Sequence, residues 1–65
     1  MRKIRVKAVD SVRVHYIDEQ GHSVQGRYAG IDRFTNEPLP EGEEVTDSAS
    51  YYSRAIRRGE LVEVT

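Results

Sequence analysis

Residues 45–64, VTDSASYYSRAIRRGELVEV, contain the helix signals that decide the fold of this chain. Asp47 or Ser48 is suited to cap the first turn, because a side-chain oxygen there can accept hydrogen bonds from unpaired amides. Gly59 stands where a helix commonly ends in a left-handed residue. The stretch therefore predicts one helix from Ser48 to Arg58, with three arginines near its negative C-terminal end.

The predicted helix is amphipathic. At helical spacing, the residues expected to pack against a core are Ala49, Tyr52, Ala55 and Ile56. The opposite face carries Ser50, Arg54 and Arg57, and the border positions are Tyr51 and Arg58. The helix is thus expected to bury one face and to leave a basic face outside.

Segments before and after the helix alternate between apolar and polar residues with the period of a β-strand. Residues 3–9, KIRVKAV, alternate Ile4, Val6 and Ala8 with Lys3, Arg5 and Lys7, which predicts a half-buried strand. Residues 60–64, ELVEV, alternate in the same way and predict a short closing strand. The helix is therefore expected to pack on a sheet that includes both chain ends.

Residues 11–32 predict a β-hairpin. Its first strand places Val12, Val14 and Tyr16 on one face, and EQGH, residues 19–22, supplies a glycine for the turn. In the returning strand, Gly26 and Gly30 indicate a bulge or a close approach of another backbone.

Residues 32–44, DRFTNEPLPEGEE, predict an irregular connection. Pro38 and Pro40 remove two backbone donors and favour an extended path. Phe34 and Leu39 are the apolar residues expected to attach this loop to the core.

The predicted element order is β-β-β-loop-α-β, in a single domain spanning residues 1–65. The expected fold class is α+β, a small mostly antiparallel sheet with one helix in the C-terminal half. A domain of 65 residues buries only about 60% of its unfolded surface, so its stability is marginal. Without cysteine it has neither disulfides nor thiolate metal sites, so contact with a partner surface is the expected additional source of stability.

Charge and hydropathy restrict the partners. The net charge of −1 argues against a dedicated nucleic-acid binder, which is usually basic. The chain has no apolar run of the roughly 20 residues that a membrane span needs. The N-terminal residues, MRKIRVK, lack the apolar core of a signal peptide, so the protein is expected to be made and used inside a cell. The charges are nonetheless separated, since residues 2–7 carry four bases and residues 41–47 carry four acids.

Signals for catalysis are poor, and we expect no enzyme, no cofactor, no bound metal and no small-molecule substrate. His15 and His22, with Asp18 between them, are the one arrangement with metal-ligating side chains on the predicted hairpin. Histidines on small hairpins are mostly solvated, and a zinc site needs three or four converging ligands.

Two binding readings of the helix remain open. In the first, residues 48–64 are similar to the second helix and wing entry of excisionase-type winged-helix proteins, with Arg54 and Arg57 directed at the DNA major groove. The prolines and acids before the helix do not supply the preceding helix that this motif requires. In the second, Tyr51 and the arginines form a protein contact, since Tyr and Arg are enriched at interface hot spots. A third alternative involves no binding: Tyr51 covers the edge of the core and the arginines are solvated on the outer face.

The chain resembles a family of small, functionally uncharacterised proteins from Mu-like contractile-tailed bacteriophages, whose genes lie beside the tail sheath gene. The shared features are an N-terminal Val-Lys strand, a Val-x-Asp-Ser-x-x-Tyr pattern, an arginine-bearing helix and a Gly-acid-Leu/Val-Val ending. In this sequence they are Val6 and Lys7; Val45, Asp47 and Ser48; Tyr51 and Tyr52; Arg54, Arg57 and Arg58; and Gly59, Glu60, Leu61 and Val62.

The resemblance implies a non-enzymatic structural or tail-associated protein that binds a larger virion protein, such as a sheath, tube or capsid component, in many copies. It implies a location in the virion, or in the host bacterial cytoplasm during assembly. The residues expected to make the protein contact are Tyr51, Tyr52, Arg54, Arg57 and Arg58 on the helix, and Lys3, Arg5 and Lys7 on the first strand. An exposed edge of that strand is further expected to add to a partner's sheet. The alternative remains a small DNA-binding regulator of the excisionase-like winged-helix type.

Overall fold

The computed structural model describes residues 2–65 and shows five strands in two antiparallel sheets with one short helix, which confirms the predicted α+β class. The strands are β1 (Arg2–Ala8), β2 (His15–Ile17), β3 (Ser23–Tyr28), β4 (Glu43–Asp47) and β5 (Leu61–Glu63). The α-helix is α1 (Tyr51–Arg57), and a 3-10 turn (Ser48–Ser50) precedes it.

β1 is the central strand of the larger sheet, which has the order β4-β1-β5. Ile4 lies opposite Val45 of β4, and Ala8 lies opposite Leu61 of β5. The prediction of an exposed N-terminal edge is therefore wrong, because β1 pairs on both sides. The strand that sequence reasoning missed is β4, which lies in the acidic segment and turns Val45 and Asp47 inward.

The core lies on one face of this sheet and combines residues from every part of the chain. From α1 it receives Tyr52 and Ala55, and the remaining buried apolar residues are Ile4, Val6, Ala8, Val14, Ala29, Ile31, Val45 and Leu61. The predicted alternation of the first strand is confirmed, since Ile4, Val6 and Ala8 are all buried. Lys3, Arg5 and Lys7 lie on the opposite face.

The α-helix begins at Tyr51, three residues later than predicted. Ala49 and Ser50 have left-handed backbone angles, with φ of 52° and 59°, so residues 48–50 form a tight turn instead of a first helical turn. Ala49 is consequently exposed and does not join the core. The predicted end is confirmed, because Gly59 adopts a φ of 84° directly after the helix.

Asp47 caps this helix from a distance. Its Oδ1 accepts hydrogen bonds from the backbone amides of Tyr52, at 2.8 Å, and Ser53, at 3.4 Å. Its Oδ2 accepts a hydrogen bond from the Ser53 hydroxyl. Of the two residues predicted to cap the helix, Asp47 does so, and the left-handed turn brings the helix amides to its carboxylate.

The predicted hairpin is confirmed, with shorter strands than expected. His15 pairs with Tyr28 and Ile17 pairs with Ser23, so one residue of β2 lies opposite four residues of β3. This bulge includes Gly26, whose φ is 77°. Val12 precedes β2 and is exposed, whereas Val14, predicted on the same face, is buried.

The connection between β3 and β4 forms a folded loop with its own hydrogen bonds. Ile31 bridges Pro38, and Asp32 donates its backbone amide to Glu37 O at 2.9 Å. Leu39 is half-buried, but Phe34 is 91% exposed at the tip. The prediction that Phe34 attaches the loop to the core is wrong, because the closed loop turns residues 33–36 away from it.

Tyr52 ties α1 to the hairpin through its hydroxyl. The hydroxyl accepts from the Ile17 amide at 2.9 Å and donates to the Ile17 carbonyl at 3.0 Å. Helix, hairpin and central sheet therefore share one buried side chain, which is 0% exposed.

The Tyr52 hydroxyl also makes the free energy of unfolding depend on pH in the alkaline range. Burial raises its pKa to about 12 from the ordinary 10.0. The folded state favours the protonated phenol, so this contribution is complete below about pH 10 and is lost as the pH rises toward about 12. We expect the free energy of unfolding to fall over this range by more in the wild type than in Tyr52→Phe, which has no phenol at this position. Denaturant titrations of both proteins across the range measure the difference, and identical pH slopes would contradict the assignment.

Candidate protein-binding surface

The structure separates the eight predicted contact residues into groups that do not share one surface. Tyr52 is fully buried, so this residue is removed from the predicted contact set. The basic residues of β1 lie on the side of the sheet that faces away from the core.

The first group is the Tyr-Arg stripe, which consists of Tyr51, Arg54 and Arg58. Positions three or four residues apart lie on the same side of a helix, and these three follow that spacing. Tyr51 is half-buried and packs edge-on against the Tyr52 ring, with 5.1 Å between ring centroids. The phenol ring is thus held in place by the core while part of it remains in solvent.

Both arginines of the stripe are oriented by neighbouring groups. Arg54 donates from its guanidinium to the Ala49 carbonyl at 2.6 Å. Arg58 donates twice to Oε1 of Glu60, at 3.0 and 2.7 Å, and this hydrogen bonding raises the pKa of Arg58 above its ordinary value. Ordered arginine side chains lose less conformational entropy when they bind a partner than free ones do.

The second group is Arg57, which lines a shallow groove of about 250 Å³. This α1 groove lies between the helix and the part of the sheet that contains the start of β1 and the end of β5. Its lining residues are Arg2, Ser53, Ile56, Arg57 and Glu63. Ile56 is the large apolar residue of the groove. The Arg2 guanidinium and the Glu63 carboxylate lie 3.8 Å apart. The groove offers an apolar patch with a charged rim.

The third group is the basic sheet face, which consists of Lys3, Arg5 and Lys7. Their cross-strand neighbours on the same face are Thr46, Glu44 and Val62, respectively. Arg5 donates from Nε to the Glu41 carbonyl at 2.7 Å, which holds its side chain toward the β4 side. The predicted second surface is therefore a flat face on the side of the sheet opposite α1.

One polar cluster was not identified from the sequence. Arg27 lies over the Tyr16 ring, with 3.8 Å from the guanidinium carbon to the centroid, and forms an ion pair of 2.5 Å with Glu43. The second oxygen of Glu43 accepts from the Gly30 amide at 3.0 Å. Glu43 lies in the acidic run of residues 41–47. Its pairing with Arg27 was not predicted, because the strand in that run was not recognised. The cluster joins the hairpin to β4.

The exposed Phe34 was also missed as a surface residue. Asp32 accepts hydrogen bonds at Oδ1 from the amides of Phe34, at 2.7 Å, and Thr35, at 3.3 Å. An aspartate that bonds its own backbone two residues later is a known turn-forming arrangement, and it was the one available signal in the sequence.

The histidines do not converge. His15 lies against the Tyr28 ring at 5.6 Å between centroids, and Asp18 accepts from the Gln20 and His22 amides to form the hairpin turn. No group of three or more metal-ligating side chains occurs within residues 2–65.

A strand, β4, precedes α1 and is separated from it only by the 3-10 turn of residues 48–50. Within residues 2–65 the structure contains a single α-helix, and β4 occupies the place that the first helix of a helix-turn-helix would take. Arg54 and Arg57, the residues of the DNA-binding reading, are three positions apart on α1 and both are exposed.

Comparisons with protein-family models, with curated proteins and with solved structures gave no match for this chain. In the part of the chain that the structure describes, none of the helices has the length and apolar character needed to cross a bilayer.

Proposed function

We propose that the chain is a small non-enzymatic protein-binding module whose main contact surface is the Tyr-Arg stripe. The observation that carries this proposal is the position of Tyr51, held edge-on by the buried Tyr52 yet partly exposed at the start of a stripe with two oriented arginines. Tyrosine and arginine anchors that are fixed before binding are typical of interface hot spots.

The fold supports such a role by holding α1 rigidly. Asp47 caps the helix amides and the Tyr52 hydroxyl attaches its first turn to the hairpin. A partner that binds the stripe therefore meets a preformed surface, and the free energy of ordering the helix is already supplied by folding.

The resemblance to Mu-like phage proteins gives the partner: a larger virion protein, such as a sheath, tube or capsid subunit. The protein would then reside in the particle, or in the bacterial cytoplasm while particles assemble. The basic sheet face provides a second, electrostatic contact on the opposite side of the molecule, suited to an acidic surface of the same assembly.

The proposal is tested by titrating the purified chain against purified sheath, tube and capsid subunits of the phage that encodes it. We expect Tyr51→Ala to weaken binding by about tenfold or more, because a hot-spot residue is lost. Gln20→Ala changes the exposed hairpin turn and serves as the matched control. Equal affinities for the Tyr51 and Gln20 variants, with unchanged unfolding midpoints, would contradict the role of the stripe.

The alternative function, a DNA-binding regulator, is tested by gel shift with duplex DNA. In that case the wild type shifts DNA in a salt-sensitive manner and Arg57→Ala weakens the shift. The presence of β4 in the place of a first helix favours the protein partner, for which no shift is expected at low salt.

A further inference from the structure

Phe34 is displayed on a loop that is closed by its own hydrogen bonds. The Phe34 loop, residues 32–37, is held at its base by the Asp32 amide and Glu37 carbonyl, and at its tip by the Asp32 carboxylate. A phenyl ring that is 91% exposed on a rigid tip costs little conformational entropy to bind. This side chain is the most exposed large hydrophobic residue of the described chain and has no role in the core.

The α1 groove is a shallow, open surface on which such a ring can pack. Its lining has one apolar side chain and four polar or charged ones. The groove of about 250 Å³ presents Ile56 as an apolar surface and Arg57 as a cation that can lie against a ring face.

The loop and the groove lie toward opposite ends of β1. Arg2, at the start of β1, lines the α1 groove. Asp10 and Ser11, just beyond the end of β1, line a second depression together with Asn36 and Glu37 of the Phe34 loop. A strand of seven residues spans roughly 20 Å at about 3.3 Å per residue, so Phe34 cannot reach the groove of its own chain.

The charges at the two sites are complementary. The Phe34 loop carries Asp32, Arg33 and Glu37, which gives it a net charge of −1. The groove carries Arg2, Arg57 and Glu63, with a net charge of +1. Opposite net charges favour the approach of a loop to a groove at moderate ionic strength.

We propose that copies of this chain associate head to tail, with Phe34 of one copy inserted into the α1 groove of the next. Because the two surfaces differ, the contact is heterologous and leaves one free loop and one free groove on every growing assembly. Such contacts produce rings when the rotation between copies closes and open filaments when it does not. The contact does not require a tail protein, and it also supplies the partner surface expected for so small a domain.

The proposal is tested by sedimentation of the purified chain at concentrations from about 10 μM to about 1 mM, because a contact this small belongs to the weak class below ~1,200 Å². We expect the mean mass to rise with concentration and to fall with added salt. Phe34→Ser should lower the association constant about 10- to 100-fold, the equivalent of losing one buried phenyl group. Val62→Ser removes an exposed apolar side chain from outside both sites and should leave association unchanged.

A mixing experiment identifies the head-to-tail arrangement. Ile56→Asp places a charge in the groove, and Arg57→Glu, at an exposed position, replaces it if the first variant does not fold. Each variant should be monomeric alone, but Phe34→Ser keeps an intact groove and the groove variant keeps an intact Phe34. Their mixture should therefore form one-to-one dimers and nothing longer. A wild type that stays monomeric throughout, assembly that persists in Phe34→Ser, or a mixture without dimers would overturn the proposal.

Discussion

Gly30→Ala is expected to lower the free energy of unfolding by about 2–5 kcal/mol, from strain of about 1–2 and overpacking of about 1–3. An added Cβ would lie 2.7 Å from the Ala8 nitrogen and 2.8 Å from the Lys7 Cα, and both are backbone atoms of the central strand. Gly30 also has a φ of 72°, which alanine adopts only with strain. A domain of this length has a total stability of roughly 3–10 kcal/mol, so the variant should lose a large fraction of its stability.

Gly26→Ala is the matched control for this prediction. Gly26 has a similar φ of 77°, but an added Cβ would meet nothing within 4 Å. The Gly26→Ala variant should therefore be destabilised only by the strain of a left-handed alanine, about 1–2 kcal/mol. Urea titrations of both variants separate the contribution of the close approach from that of backbone strain. Equal losses in the two variants would show that the close contact with β1 has no energetic effect.

Tyr52→Ala is expected to cost about 3–5 kcal/mol, the range found when a large buried aromatic residue is truncated. The variant leaves a cavity between α1, the hairpin and the sheet, and it removes both hydrogen bonds to Ile17. Loss of circular dichroism at room temperature, or a strongly reduced denaturation midpoint, would be the measured result.

Tyr52→Phe distinguishes packing from hydrogen bonding at the same position. It keeps the ring and removes only the hydroxyl, so the Ile17 amide and carbonyl lose their partner at a cost of about 1–3 kcal/mol. If the alanine and phenylalanine variants were equally unstable, the ring itself would contribute nothing, which the complete burial of Tyr52 does not allow.

The first strand and the end of the helix were predictable because their signals are local. Alternation of Ile4, Val6 and Ala8 with bases fixes which side of β1 is buried. Gly59 ends the helix because a left-handed residue there needs no neighbour from elsewhere in the chain. Both features depend on a few adjacent residues, which is where patterns of this kind are reliable.

The features that were missed depend on distant contacts. β4 has the acidic sequence EEVTD, and it becomes a strand because β1 pairs with it and because Arg27 and the Gly30 amide bind Glu43. The late start of α1 depends on the buried Asp47 carboxylate, which accepts from Tyr52 and Ser53. Tertiary contacts of this type override local preference and cannot be read from one segment alone.

The contact surface was predictable only in part. Tyr51 and the arginines were identified from residue type, but the lining of the groove depends on Arg2 and Glu63, which the sheet brings next to α1. Phe34 was assigned to the core because apolar residues usually lie there, whereas the hydrogen bonds of Asp32 turn it outward. Residue type therefore indicated which side chains could bind, and the structure shows which of them are free to do so.

The most direct test of the proposal that this chain is a protein-binding component of a phage tail is quantitative mass spectrometry of purified particles of a phage whose genome encodes it. The chain should be present at a fixed ratio to sheath or tube subunits, and particles made with Tyr51→Ala should contain about one tenth as much or less. Absence of the wild-type chain from both finished particles and assembly intermediates would contradict it, as would an unchanged ratio in the Tyr51→Ala particles.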